Sequence, residues 1–353
     1  MIASHEKIPE EILFAPHKKE GTFICRICSK ACVLEKEEIG YCGVRINTGE
    51  RIISKTYGLT TGISIDPIEK KPLYHFQPGT DTLSIGGIGC NLSCSFCQNF
   101  TTSQDRSKLG ATFLEKHSPE EIVNIALMKK LPSISVTYNE PTINIEYVVD
   151  IAKLAHDAGL KVIAVTNGFL QTKIAEYLAK YIDAANIDFK GDKKFYREIC
   201  DGRQTPVKKT IEHWFDSGVH IELTTLVIPS YNDSDMFIKE EANWMVTRLR
   251  KDVPLHFSRF YPMYLLNDIP PTPLNTLLKC KKIAKEEGLQ YIYIGNVGSQ
   301  VDDNTYCANC GEVLIERGTN VFLRRKGYET KIRNLDLKNN VCLSCGQKAP
   351  FTD

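Results

Sequence analysis

The sequence carries almost no net charge: 44 Lys and Arg stand against 43 Asp and Glu, leaving +1 at neutral pH. That balance leaves room for a local basic patch, but it removes the overall positive field by which a dedicated nucleic-acid binder or membrane-surface protein draws in its partner. No apolar run approaches the roughly 20 residues needed to cross a bilayer. The opening MIASHEKIPEEIL lacks the charged-then-apolar order of a secretory signal, so a soluble, cytoplasmic protein with no membrane partner is expected. Repeats and low-complexity tracts are also missing. At 353 residues the chain can bury a large core, and one barrel-like α/β domain with small appendages fits better than two equal halves.

Cysteine, by contrast, is abundant. Thirteen of them in a chain expected to meet a reducing cytosol cannot be a disulfide framework, and their grouping points to metal coordination instead. Cys25, Cys28, Cys32 and Cys42 lie near the N-terminus, Cys90, Cys94 and Cys97 form a tight central cluster, and Cys307, Cys310, Cys342 and Cys345 lie near the C-terminus. Two- and three-residue gaps let thiolates converge on one centre. Cys200 and Cys280 stand alone in helical segments and are expected to be small buried hydrophobes.

Residues 1–80 read as a Cys-rich lead-in domain, in which DPIEKKPLYHFQPG has the prolines and glycine of an irregular connection. From Asp81 onward, β-rich runs alternate with helical periodicity. Strands are expected at 82–86, 133–138, 161–166, 185–189, 220–228, 255–260 and 291–295. Helices fall between them, one opened by Ser118 as N-cap with Pro119 at the first helical position and Glu121 three residues after the cap. Residues 81–300 are therefore expected to form a full or partial parallel (β/α) barrel, with 301–353 as a zinc-ribbon-like tail; function in such a barrel gathers at the C-terminal ends of the strands.

The segment GCNLSCSFCQNF directly follows the first barrel strand and places Cys90-x3-Cys94-x2-Cys97 on a loop at that end. Three thiolates cannot serve all four irons of a cubane cluster, so one iron stays open for a reactant. A zinc site completed by a distant histidine is the plainer alternative. The motif, with Phe96 inside its second gap, resembles the defining signature of the radical S-adenosylmethionine (radical SAM) superfamily, and its flanks resemble the activating enzymes of glycyl-radical proteins such as pyruvate formate-lyase. DPIEKKPLYHF, TYNEPTI, HFSRFYP and NTYCANCGEVLIER together resemble the radical enzyme of the AmmeMemoRadiSam system over nearly the whole chain. The resemblance implies a [4Fe-4S] cluster, S-adenosylmethionine as cofactor, a flavodoxin- or ferredoxin-like one-electron donor, and a 5′-deoxyadenosyl radical that takes hydrogen from a substrate. An activase-like reaction would make that substrate a glycine in a partner protein.

Such an enzyme must hold the sulfonium near the cluster, and polar residues end successive strands. Glu140 in TYNEPT, beside Asn139, is the candidate partner of the methionyl ammonium, against a plain N-terminal helix carboxylate. Asn167 and Gly168 in TNGF could meet the ribose or simply form a turn. Asp188 and Lys190 share a face by period two and could serve the carboxylate end or form a structural ion pair. His256 in HFSRFYP is a cofactor-binding candidate by analogy, and otherwise a satisfied core histidine. Asn296 follows the last strand and is expected at the rim.

The C-terminal pairs CANCG and CLSCG suggest a closed zinc site. The N-terminal four could hold zinc, the favoured reading, or an auxiliary iron-sulfur cluster. Besides the enzyme, modification of a small molecule or RNA is open. So is a zinc-stabilised nucleic-acid-binding module using the basic run RKGYETKIR (325–333), although the neutral charge argues against it.

Overall fold

The computed structural model describes residues 7–104, 114–318 and 329–352. Its centre is an eight-stranded sheet of β1 (Gly62–Pro67), β2 (Asp81–Gly86), β3 (Ser133–Thr137), β4 (Lys161–Thr166), β5 (Ala184–Asp188), β6 (His220–Val227), β7 (Leu255–Arg259) and β8 (Ile292–Gly295), ordered as they occur in the chain. Strands β2 to β8 pair in parallel. β1 runs antiparallel along β2, with Gly62 opposite Gly86. All seven expected strands fall within a residue of their expected bounds, because their runs are buried along nearly their whole length, as β3 is at every position. The edge strand β1 lies inside the segment expected to be a separate lead-in.

Helices α1 (Pro119–Met128), α2 (Ile145–Asp157), α3 (Thr172–Leu178), α4 (Lys193–Ile199), α5 (Gln204–Asp216), α6 (Asp235–Arg248) and α7 (Leu274–Glu286) connect the strands. The reciprocal capping box of Ser118 and Glu121 forms at the start of α1. Among the described residues nothing pairs β1 with β8, so the parallel barrel is partial, and no helix is long and apolar enough to cross a membrane.

One end of the barrel is plugged. The 3-10 turn Ile68–Lys70 and the irregular chain after it bring His75 under the N-terminal ends of β6 and β7, where Glu222 is fully buried. Its carboxylate accepts from the His75 backbone N–H at 2.7 Å, from His256 Nε2 at 2.7 Å and from His220 Nε2 at 3.2 Å. Burial works against the ionised form, but the hydrogen bonds from His220 and His256 outweigh it and hold the Glu222 carboxyl well below its usual 4.5. Burial pushes the His75 imidazole down to about 3, against the pull of Glu222. Its Nε2 instead meets the Tyr293 hydroxyl at 2.6 Å.

The C-terminal tail seals this end. Arg317 donates to the Tyr74 carbonyl at 2.6 Å, Thr352 N–H donates to the His75 carbonyl at 2.9 Å, and Phe351 stacks on His75 with centroids 4.6 Å apart. Removing Glu222 leaves three buried donors without their acceptor, so Glu222→Ala is expected to cost about 3–5 kcal/mol in denaturant unfolding at pH 7. Because the native pKa is depressed, the wild-type contribution is complete above pH 4.5 and lost as pH falls below it, so the gap between the two proteins should narrow in acid.

Candidate active site

The opposite end of the barrel is open. Strand β2 ends at Gly86, and the next turn is clamped by Asn139: the Gly87 N–H donates to its Oδ1 at 2.9 Å, and its Nδ2 donates to the Gly89 carbonyl at 3.1 Å. Gly89 has φ +85, and a Cβ there would lie 2.5 Å from the Cys42 carbonyl oxygen, so only glycine fits. Beyond it, the Ser93 and Ser95 N–H groups donate to the Cys200 and Ile199 carbonyls at 2.9 and 3.0 Å, fastening the cysteine loop to the end of α4.

Cys90 and Cys94 are buried and Cys97 half-buried. The Leu92 N–H lies 3.4 Å and Asn167 Nδ2 3.6 Å from Cys90 Sγ, both donating to sulfur. Burial and the nearby Glu140 carboxylate push the Cys90 thiol up; a hydrogen bond with Cys200 and then burial do so for Cys94; burial and Cys94 do so for Cys97.

The trio opens onto a cavity of about 330 Å³, bounded by the C-terminal ends of β3 to β7 from Thr137 to Ser258. Phe96, Asn139, Glu140, Asn167, Asp188 and Lys190 line it with the cysteines, so most of the expected cofactor set is gathered in one place. Glu140 Oε1 accepts from the Thr142 N–H at 3.2 Å, the Thr142 hydroxyl at 2.6 Å and the Thr166 hydroxyl at 2.7 Å. Among the described residues, Oε2 accepts from the Asn167 N–H alone, at 2.8 Å. Burial raises the Glu140 pKa, and these donors oppose the rise. Lys190 pairs with Asp188 at 2.7 Å; burial works against its charge, but Asp188 and Cys94 overcome that and hold its pKa well above the usual value. The Thr224 hydroxyl, buried at the cavity wall, finds no partner among the described residues.

Two cofactor candidates, and the rim candidate Asn296, stand elsewhere. His256 is 3% exposed and belongs to the Glu222 network at the plugged end, because it sits too near the start of β7 to reach the mouth. Gly168 bounds no part of the cavity; its φ of +65 serves the turn after β4, where a Cβ would lie 3.0 Å from Ile187. Asn296, also with positive φ, donates to the Arg259 carbonyl and does not line the cavity.

The sequence reading missed Lys70, Lys71 and Tyr138 on the wall. Tyr138 has φ +70, which turns its ring over Lys71 Nζ at 4.7 Å, while its hydroxyl donates to Asp66 at 2.6 Å and Lys71 donates to the same oxygen at 2.8 Å. Their segments were visible as motifs, but nothing in them marked these side chains as cavity-facing.

The C-terminal cysteines converge tightly: all four sulfurs lie within 4.8 Å of one another, with Cys307 to Cys345 and Cys310 to Cys342 at 3.7 Å. Thiolates about 2.3 Å from one tetrahedral ion stand about 3.8 Å apart, so the set fits a single ion. Gly311 and Gly346, both with positive φ, donate back to the Cys307 and Cys342 carbonyls. Of the basic run, 329–333 is described and 325–328 lies outside the described residues.

The sequence model of the radical SAM superfamily matches residues 84–239. An uncharacterized protein of Methanocaldococcus jannaschii is 38% identical over 338 residues, covering 96% of this chain and 98% of its own. A second protein of that organism, provisionally named a glycyl-radical enzyme activating enzyme, is 28% identical over 230 residues, 62% of this chain and 88% of its own. A crystallised domain of the pyruvate-formate lyase-activating enzyme of Bacteroides vulgatus superposes with a TM-score of 0.41 at 17% identity, over 46% of this chain and 98% of that one. Residues 84–239 of the chain thus carry a radical SAM superfamily domain.

Proposed function

We propose that the chain holds a [4Fe-4S] cluster on Cys90, Cys94 and Cys97 and works as an activase-like enzyme on a partner protein, taking its electron from a flavodoxin- or ferredoxin-like donor. When bound, the cluster and S-adenosylmethionine supply reductive cleavage of the sulfonium and a 5′-deoxyadenosyl radical able to take hydrogen from a glycine. The observation that carries this reading is the three-cysteine loop opening directly onto a cavity walled by five strand ends.

The residues divide the work. Asn167 and the Leu92 N–H stabilise the Cys90 sulfur as thiolate. Lys190 sets a positive charge beside Cys94. Glu140, with Oε1 saturated and Oε2 holding one donor, keeps an acceptor free for a cofactor ammonium, and the Thr224 hydroxyl is unspent. At about 330 Å³ the cavity is the size of one small ligand, which favours a substrate presented at the mouth by a macromolecule. The relative provisionally named an activating enzyme supports the same choice. Zinc is the proposed occupant of the C-terminal site, since four thiolates leave no position for a reactant.

Anaerobic protein given S-adenosylmethionine and a one-electron reductant should form 5′-deoxyadenosine and methionine; a protein with intact iron that forms neither would overturn the proposal. Glu140→Gln should keep its iron but weaken cofactor binding roughly tenfold or more in equilibrium dialysis, the loss of one charge-assisted hydrogen bond. An unchanged dissociation constant would remove Glu140 from the cofactor site.

A further inference from the structure

A second concave surface lies outside the active cavity and shares none of its lining residues. It is a groove of about 690 Å³ between the loop of Cys25, Cys28 and Cys32, the turn from β4 into α3, and the start of α5. Of the N-terminal cysteines, Cys25, Cys28 and Cys42 are buried and Cys32 half-buried, and none lines the groove. Arg26, Lys173, Arg203 and Lys209 do, and among the described residues no carboxylate joins them. Arg26 and Arg203 donate to the backbone carbonyls of Glu11 at 3.0 Å and Ser29 at 2.7 Å, which hold the guanidiniums in place without neutralising them. Asp201, two residues before Arg203, is taken by Lys30 at 2.7 Å and by the Tyr41 hydroxyl at 2.6 Å. Four like charges gathered in one concavity of a chain whose net charge is +1 make a local positive field that the composition hides.

The exposure of these cations shows which partner suits them. Lys173, Arg203 and Lys209 are exposed and Arg26 is half-buried, so the groove holds its charge in water, unlike a pocket shaped to enclose a small ligand. Long solvated cations of this kind make the polar rim of a contact between proteins. Among the described residues no aromatic ring lines the groove, so the bases of a single strand would find nothing to stack on. A protein with an acidic face is the better match.

Position selects among acidic proteins. Leu170 on the groove wall follows Phe169, whose carbonyl accepts from Asn91 Nδ2 at 3.2 Å, next to Cys90. Arg203 lies three residues after Cys200, whose carbonyl accepts from the Ser93 N–H at 2.9 Å, next to Cys94. The groove is thus one hydrogen bond from the central loop on a side that leaves the cavity free. A protein presenting a glycine has to enter the cavity, whereas an electron donor needs only to come close to the cysteines while the cavity is occupied. We infer that this groove is the docking surface for an acidic one-electron donor, an inference that rests on the function proposed above. On docking, the reduced donor gives up one electron and the central cluster takes it, with no bond made or broken.

Binding of a strongly acidic flavodoxin, in its oxidised form, to the anaerobic full chain tests the surface apart from catalysis. The wild-type dissociation constant should rise about tenfold or more between about 50 and 200 mM salt, and Lys173→Glu/Lys209→Glu should weaken binding at least about tenfold at the lower salt. Lys129→Glu/Lys285→Glu makes the same change in net charge at exposed positions outside the groove and should bind within about twofold of the wild type. Equal weakening by both variants, or by neither, would overturn the docking surface. So would a wild-type chain that ignores flavodoxin, whether or not it binds a labelled RNA oligomer through the same two lysines. In turnover, the groove variant should form 5′-deoxyadenosine at least about tenfold more slowly with a low concentration of reduced flavodoxin, and at the wild-type rate with photoreduced deazariboflavin, a small uncharged reductant. A wild-type chain that forms no product with either reductant would sink the proposed function itself, whereas product from both at rates indifferent to the groove would sink the docking surface alone.

Discussion

Cys94→Ala, purified without oxygen, is expected to lose the iron of the central cluster and to form 5′-deoxyadenosine at roughly 10⁴-fold below the wild-type rate or less, because removing one member of a set that acts as a unit removes the function of the whole. The fold should survive. The loop on which Cys94 sits is held from outside by the Ser93 and Ser95 N–H groups on the end of α4 and by Asn139 on Gly87 and Gly89, none of which needs the sulfur. Trimming one buried sulfur should cost only about 1 kcal/mol in denaturant unfolding. Cys200 hydrogen-bonds with Cys94 and is the substitute ligand to exclude, so the Cys94→Ala/Cys200→Ala chain should be no less active than Cys94→Ala. Wild-type product formation by Cys94→Ala would remove it from the cluster.

The second large effect lies at the other end of the molecule. Cys342→Ala is expected to release zinc, with about 10 kcal/mol or more of metal-binding free energy at stake in a closed thiolate site. The tail has a small core of its own around Leu314, Ile315, Leu335 and Phe351, too little to hold it folded without the ion. Its loss should reach the barrel, since Phe351 and Thr352 cover His75 above the Glu222 network. Thermal unfolding should therefore start lower and trypsin should cut within 335–352, while iron at Cys90, Cys94 and Cys97 stays bound. Loss of iron in place of zinc would make the C-terminal set an iron-sulfur site.

Both expectations draw on features legible in the sequence to different depths. Strand runs such as SISVTY and KVIAVT declare themselves because they are apolar over their whole length, and Ser118 with Glu121 declares a helix start by local chemistry alone. The edge strand Gly62–Pro67 does not, because its glycine and proline look like breakers and its pairing with β2 is made across 13 intervening residues or more. His256 shows the limit of period two, which gives the face of a strand residue but not its depth along the barrel; that depth is fixed by Glu222, three strand positions into β6, and by the plugging segment at His75. Tyr138 reaches the cavity through a left-handed backbone that no pattern announces. Cysteine spacing identifies which thiols belong together, whereas the approach of all four C-terminal sulfurs to within 4.8 Å of one another, the spacing a single ion needs, arises only in the folded chain.

The most direct test of the central claim is the electron paramagnetic resonance spectrum of the reduced wild-type chain, recorded before and after addition of S-adenosylmethionine. A cluster with three protein thiolates has one iron free to take the cofactor, so its signal should shift in shape and position on addition, and the shift should vanish in Cys94→Ala. An iron-loaded wild-type chain whose spectrum is the same with and without the cofactor would contradict the assignment of Cys90, Cys94 and Cys97 as the reactive centre.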